Sequence, residues 1–352
     1  MSHVLFTGGG TAGHVIPTFP VIEALLARGV RVSFVGSTSG LEERLLAALA
    51  VDYHGIASGK LRRYLSAENV LDAFRVIAGI WQAYWLLGRL QPDAVFSKGG
   101  FVSFPVVLAA RLRRIPVVAH ESDLTPGLAN RLAMRFVKTL CINFSATPTG
   151  TFRGRVVHAG TPMRAALTDG DAVAGRRLLD VAAGDRVLLV TGGSLGADAL
   201  NEAVRAALPE LCENFVVVHI CGPGKLSDAN VEGYRQFEYV TEGWGDMLAA
   251  ADLVVSRAGA NTLYELLALR KPNLLVPLSR RASRGDQIEN AMFAAGLGYS
   301  HVLDEEDLNG ASLVAAIKAL DADLNEVRAR LGTFDTPDSV ALICDELDRY
   351  LR

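Results

Sequence analysis

The chain has 352 residues, more than one hydrophobic core usually serves, so two domains are expected. Half of the residues are hydrophobic and 21% are charged. No apolar run reaches the roughly 18 residues of a membrane span, a composition that fits a soluble globular protein and excludes a bundle of spanning helices. The net charge of -3 hides an asymmetry: residues 1–164 hold 18 Lys and Arg against 9 Asp and Glu, and residues 165–352 hold 17 against 29. A basic first half suits an anionic membrane surface, a pyrophosphate or a nucleic acid, and surface charge alone selects none of them.

Strands and helices alternate along the chain, which predicts parallel sheets covered by helices. HVLFTG reads as a strand ended by glycine, TFPVIEALLARG as the helix after it, and VRVSFVG as a second strand. DAVFSKGG, IPVVAHES and TLCINF read as three more, joined by the helical SFPVVLAARLRR and GLANRLAMRF. After the turn-rich TPTGTFRGRVVHAGTPMR the pattern restarts: DRVLLVTGGS, the helix LGADALNEAVRAALPEL, then the strands NFVVVHICG, QFEYVTE, ADLVVSRAG and NLLVPLS. The expected architecture is α/β, two Rossmann-like doubly wound domains facing across a cleft, one spanning 1–163 and the other 164–352. The terminal helix PDSVALICDELDRYLR either caps the second domain or crosses back to the first.

Four cysteines, Cys141, Cys212, Cys221 and Cys344, are scattered without CxxC or Cys/His spacing. They read as buried thiols, with neither a disulfide framework nor a metal site expected. The start MSHVLFTGGG lacks a basic segment followed by an apolar core, so a signal peptide is not expected there. No helix-turn-helix, finger or aromatic RNA-binding motif appears, and nucleic acid is not expected as a partner.

Ligands of open parallel sheets bind beyond the carboxyl ends of strands, where glycine turns admit a ligand to backbone amides and the next helix points its positive end at it. GGGTAGH and TGGSLGA both fit, yet neither is the G-x-G-x-x-G fingerprint or a P-loop. A tight turn needing positive φ would ask for the same glycines. Further polar clusters close other strands: SKGGFVSFP, HESDLTPGLANR with His120, Glu121 and Asp123, SRAGANTLYELL, and the loop SRRASRGDQIENA.

The order GGGTAGH, SKGGFVSFP, HESDLTPGLANR, GTPMR, TGGSLGA, SRAGANTLYE, GDQIENA resembles the MurG family over essentially the whole chain. That family transfers N-acetylglucosamine from UDP to undecaprenyl-diphospho-muramyl-pentapeptide in peptidoglycan synthesis. The resemblance implies a GT-B fold, inversion at the anomeric carbon, no required cofactor and a donor held mainly by the C-terminal domain. It assigns to the donor Thr11, Gly13, Arg164, Ser194, Trp244, Arg257, Thr262, Glu265, Gln287 and Asn290. Glu265 falls on the glutamate that binds the ribose, and Gln287 and Asn290 fall on the sugar-contacting loop. The backbone near Trp244 aligns with the uracil-reading segment, and Arg164 answers to an arginine of the interdomain segment. Gly9, Gly10, Thr11, Gly100 and Asn130 go to the acceptor, and Gly8 to Gly10 are expected to open an anion-sized gap for its diphosphate. The base that deprotonates the muramyl 4-hydroxyl is one of His14, Glu121 and Asp123. A histidine has the unperturbed pKa for that task near neutrality.

The chain departs from the common family pattern at Ala12 for glycine, HESD for HEQN, Phe101 for tyrosine and GTPMR for GNPxR. These changes lie mostly on the acceptor side and suggest a variant, streptococcal-like subgroup; Asp123 adds a negative charge beside an anionic substrate. A paralogue with another acceptor, a UDP-N-acetylglucosamine 2-epimerase and an envelope scaffold are competing readings, and the resemblance adds other cell-wall synthesis proteins as a class of partner.

KLRRYLSAENVLDAFRVIAGIWQAYWLLGRL mixes Lys60, Arg62, Arg63, Arg75 and Arg89 with Tyr64, Phe74, Trp81, Tyr84, Trp85 and Leu86. Two readings stand: an interfacial segment on an anionic leaflet, or a helix whose stripe Val70, Phe74, Ile77, Trp81 and Trp85 packs in the core. With a lipid-linked substrate, peripheral attachment to the cytoplasmic face of the membrane is the expected location.

Overall fold

The structure, a computed structural model, describes residues 2–38, 40–59, 67–240 and 242–351, with the backbone alone for 67–71. The chain divides into two compact units, Met1–Met163 with Pro337–Arg352, and Arg164–Thr336. Among the described residues the first unit holds β1 (His3–Gly8), β2 (Arg31–Ser37), β3 (Asp52–Ile56), β4 (Ala94–Gly99), β5 (Val117–Glu121), β6 (Thr139–Ile142) and β7 (Arg155–His158). They form one parallel sheet in the order β3-β2-β1-β4-β5-β6-β7. The second unit holds β8 (Val187–Thr191), β9 (Val216–Ile220), β10 (Tyr234–Phe237), β11 (Leu253–Ser256), β12 (Asn273–Leu275) and β13 (His301–Val302), parallel in the order β10-β9-β8-β11-β12-β13.

Central strands are buried along their whole length, as strands covered on both faces must be. Edges behave differently. DYHGI of β3 and RVVH of β7 were not expected as strands, because each lies at a sheet edge, is partly exposed and carries polar residues among its apolar ones. The two-residue β13 was too short to expect, and β10 is YRQF rather than QFEYVTE, two residues earlier in the chain.

In both sheets the strand order reverses at one place, between β1 and β4 and between β8 and β11. Chains leaving those strands diverge, so a crevice opens beyond their carboxyl ends, where ligands of doubly wound sheets bind.

The terminal helix Ser339–Asp348 belongs to the first unit, which shortens the expected 164–352 domain to Arg164–Thr336. Ile343, Cys344 and Leu347 are fully buried with Val4, Phe6, Ile22 and Leu25. Arg155 holds Glu346 at 2.8 Å and Arg28 holds Asp348 at 2.9 Å. All four thiols are free; Cys141, Cys221 and Cys344 are buried, whereas Cys212 is only half-buried.

The helix Ala67–Leu90 settles the direction of its aromatic stripe. Its inward face is Asp72, Val76, Gly79, Ala83 and Leu87, and at Gly79 a side chain would collide with the Ala57 carbonyl, 2.2 Å from a Cβ. Small residues are needed there because the helix lies close to the chain beneath. Phe74, Ile77, Trp81 and Trp85 point outward, 65%, 53%, 59% and 67% exposed, which overturns the core reading of that stripe. Lys60, Arg62, Arg63 and Tyr64, and the side chain of Val70, lie outside the described residues. Among the described residues no helix is long and apolar enough to cross a membrane.

Candidate active site

At the switch point of the first unit, β1 ends in Gly8 and continues through Gly9, Gly10 and Thr11 into the short helix Ala12–His14. The three glycines do not open an anion-sized gap. A Cβ on Gly8 would stand 2.5 Å from the His14 carbonyl oxygen, on Gly9 2.1 Å from Glu42 Oε1, and on Gly10 2.3 Å from the Phe101 ring. Gly100 closes the same contact from β4, its missing Cβ 2.1 Å from the Gly9 oxygen. Protein atoms fill the space the side chains leave, so these glycines let two turns and an aromatic ring lie against one another. Glu42 is buried behind them: its Oε1 accepts the Gly10 N–H at 2.8 Å, and its Oε2 has no hydrogen-bond partner. The Gly10 amide is therefore committed to a carboxylate of the protein.

Two side chains rise from this turn. Thr11 is exposed, and its Oγ1 lies 2.9 Å from Nδ1 of the half-buried His14. Gly13, between them, is exposed.

Across the crevice, β5 carries His120 and Glu121 to its end. Glu121 is buried and its oxygens are occupied: Oε1 accepts Asp123 N–H at 3.0 Å, and Oε2 accepts Asn130 Nδ2 at 2.9 Å and Gly127 N–H at 3.2 Å. Burial, then the charge of Asp123, push its pKa up to about 7 against those bonds. Asn130 is likewise buried, tied to Glu121 beneath Gly99. Glu121 and Asn130 thus fold the turn that presents Asp123. His120 belongs to the polar cluster expected at the end of this strand, whereas Lys98 was not read as a site residue, although a charged type in a central strand was the available signal. Lys98 is 2% exposed and donates to His120 Nδ1 at 2.6 Å and to Ser122 Oγ.

In the second unit, β8 ends at Thr191 and the turn Gly192–Ala197 leads into the helix Asp198–Leu211. Ser194 is exposed on that turn. A Cβ on Gly196 would stand 1.9 Å from the Cys221 carbonyl oxygen, so the turn is seated on the end of β9. Beyond β11 follows the helix Ala260–Ala268, with Thr262 and Glu265 half-buried on it. Burial pushes the Glu265 pKa up to about 7, and the Arg164 charge opposes that shift. Arg164 is exposed and precedes the helix Ala165–Thr168, against which the helix Trp244–Ala250 is packed: a Cβ on Gly245 would stand 2.1 Å from the Ala166 oxygen. Arg164, Glu265 and the start of the Trp244 helix therefore gather in one region of this unit.

Other donor candidates serve the frame. Arg257 is buried, giving Nη1 to the Val276 carbonyl at 3.0 Å and Nη2 to Glu305. Against the cost of its burial, the Ser279 amide and that guanidinium hold the Glu305 carboxyl below its usual range. Asn290 is buried and donates to the Ala258 carbonyl at 3.2 Å. Gln287 Oε1 accepts Leu278 N–H at 3.1 Å. Glu305, far along the sequence in an acidic run, was missed because nothing in that run distinguishes it from a solvated face. Among the described residues no group of three or more His, Cys, Asp or Glu side chains is arranged to hold a metal ion.

Two doubly wound parallel sheets in tandem, each with glycine turns and polar side chains at its switch point, are the architecture of the GT-B fold. Residues 4–142 match the glycosyltransferase family 28 N-terminal domain and residues 187–331 its C-terminal domain. A relative from Lachnospira eligens, a UDP-N-acetylglucosamine--N-acetylmuramyl-(pentapeptide) pyrophosphoryl-undecaprenol N-acetylglucosamine transferase, is 49% identical over 342 residues, 97% of each chain. The transferase of the same name from Legionella pneumophila strain Paris is 48% identical over 90% of this chain and 88% of its own. The crystal structure of Acinetobacter baumannii MurG superposes with a TM-score of 0.80 at 27% identity, covering 99% of this chain and 100% of that one. The chain belongs to the MurG family.

Proposed function

We propose that this protein transfers N-acetylglucosamine from UDP-N-acetylglucosamine to the 4-hydroxyl of undecaprenyl-diphospho-muramyl-pentapeptide, with inversion. The observation that carries this reading is identity near one half, sustained over 97% of both chains, with a transferase of that name. In the step, the muramyl O4 attacks the anomeric carbon as the bond from that carbon to the UDP oxygen breaks. The hydroxyl proton passes to the base, and UDP leaves with the bonding pair.

His14 is the base this reading favours. If its Nδ1–H is given to Thr11 Oγ1, the lone pair that takes the proton is on Nε2, and Thr11 sets the tautomer. Glu121 is a poorer base because the amides of Asp123 and Gly127 and the side chain of Asn130 occupy its oxygens. On the donor side, Arg164, the turn carrying Ser194 and the start of the following helix would meet the charge that grows on the diphosphate, with no metal required. Glu265 would accept the ribose hydroxyls, and Gln287 Nε2 would reach the sugar.

Attachment to an anionic leaflet is supported by the outward Phe74, Ile77, Trp81 and Trp85, with Arg89 exposed on the same helix. The cytoplasmic face follows from where a nucleotide-sugar donor is found.

The test is UDP release from purified protein with the donor and three acceptors: the undecaprenyl muramyl pentapeptide, a short-chain analogue, and none. Release only with the muramyl lipids is expected, and unchanged by EDTA. Equal release without acceptor, or with unrelated lipids alone, would refute the assignment.

A further inference from the structure

β1 and β4 pair residue for residue through Thr7 and Ser97, after which Gly8 faces Gly99 and Lys98 is left as an extra residue. Such a bulge bends its strand and re-aims the side chain it carries. Here it aims a lysine into the interior at the switch point, where Nζ reaches His120 Nδ1 and Ser122 Oγ. His120 Nε2 lies 2.8 Å from the Gly160 carbonyl oxygen, which can only accept, so that nitrogen carries the ring hydrogen and Nδ1 accepts from Lys98. The imidazole is thereby neutral, and burial and the Lys98 charge hold it so.

A buried ammonium needs opposing charge. The titratable groups around Lys98 are His120, Glu121 and Asp123 at the end of β5 and Cys141 on β6, and Glu121 and Asp123 favour its charged form in that order. Burial works the other way and brings its pKa down to about 7. The Asp123 carboxylate, second to Glu121, thus supports the Lys98 ammonium.

We propose that Lys98 is a positioning residue for the acceptor: from its bulge it fixes neutral His120 and the turn Glu121–Asp123, and its ammonium offsets Asp123 where that turn meets the acceptor diphosphate. This rests on reading the first unit as the acceptor unit.

The experiment is direct binding of a fluorescent short-chain muramyl-diphospholipid to wild type, Lys98→Met, Asp123→Asn and the double variant, from pH 6 to 9, with UDP-N-acetylglucosamine binding as control. Lys98→Met is expected to weaken acceptor binding by about tenfold at pH 6.5 while donor binding stays within about twofold. Adding Asp123→Asn to Lys98→Met should recover at least about fivefold, because it removes the charge left unbalanced. Wild-type affinity should fall as pH rises through about 7 to 8 and the ammonium is lost. In Asp123→Asn that fall should move to lower pH, since a supporting carboxylate is gone.

Equal losses in the single and double variants, or a fall that Asp123→Asn does not move, would overturn the proposal. The second readout decides the matter if Lys98→Met does not fold. Failure of the wild type to bind the muramyl lipid at all would instead sink the acceptor reading on which this one stands.

Discussion

At His14, the base proposed above, little local sequence is needed to orient the ring: a threonine three residues earlier, just before one turn of short helix, lies within a hydrogen bond of it. His14→Ala is expected to lower turnover by about 100-fold or more, with donor KM changed little, because the group acts on the acceptor proton. Thr11→Val should cost about tenfold through the tautomer alone. Steady-state kinetics with the short-chain acceptor would check both, and turnover of His14→Ala within tenfold of wild type would end the assignment. Glu265 carries a pH signature of the opposite kind, in stability. Its pKa is raised in the folded chain, to about 7 from 4.5, so between those values the native state binds more protons than the unfolded one. Stability contributed by the neutral carboxyl is full below pH 4.5 and is lost as pH rises through 7. Glu121 acts with the same sign. Glu265→Gln should therefore flatten the decline of Tm between pH 5 and 7, a slope of at most about 1.4 kcal/mol per pH unit for one group, and an unchanged decline in a thermal scan would count against it.

Among the elements, the helix Ala67–Leu90 carries two stripes of helical period, and only one can face the sheet. Aromatic residues look like core by composition, yet Gly79 and Ala83 face inward, and at Gly79 the Ala57 carbonyl leaves no space for a side chain. Periodicity reveals that a face exists; the distance between neighbouring elements decides which face is buried. Replacing Trp81 and Trp85 with Glu should abolish flotation with anionic vesicles while turnover of a soluble acceptor stays within about twofold, since neither ring supports the core. Flotation undiminished by that change would move the contact elsewhere. The bulge in β4 was illegible for a related reason: SKGG reads as a strand running into a turn, and the one-residue slip appears only when β1 lies beside it. The functional direction of Lys98 depends on that slip.

At the scale of the molecule, the chain ends by returning to where it began. Leu347 and Ile343 are fully buried beside β1 and its first helix, so the last helix completes the first unit's core. Leu347→Ala should destabilise that unit by about 2–5 kcal/mol, seen as a lower first transition in calorimetry; a shift confined to the second unit's transition would contradict this placement. The return also alters the charge balance, since the tail is acidic: the first unit holds 19 Lys and Arg against 13 Asp and Glu, and remains the basic one.

Alternating apolar strands, glycine-ended turns and helical spacing carry the class of fold and the positions of most site residues in the sequence, because each arises from neighbours within a few positions. The order of GGGTAGH, HESD, TGGSLGA and SRAGANTLYE likewise marks the family before any coordinate is known. What a residue does within its site is another matter. Gly9 and Gly10 make room for Glu42 and Phe101, Arg257 is joined to Glu305, and Lys98 is brought against His120. Each of these pairings joins different strands, helices or turns. They form only when the sheets close, since hydrogen bonds and buried charges depend on which strand lies beside which, and no local run of residues encodes that.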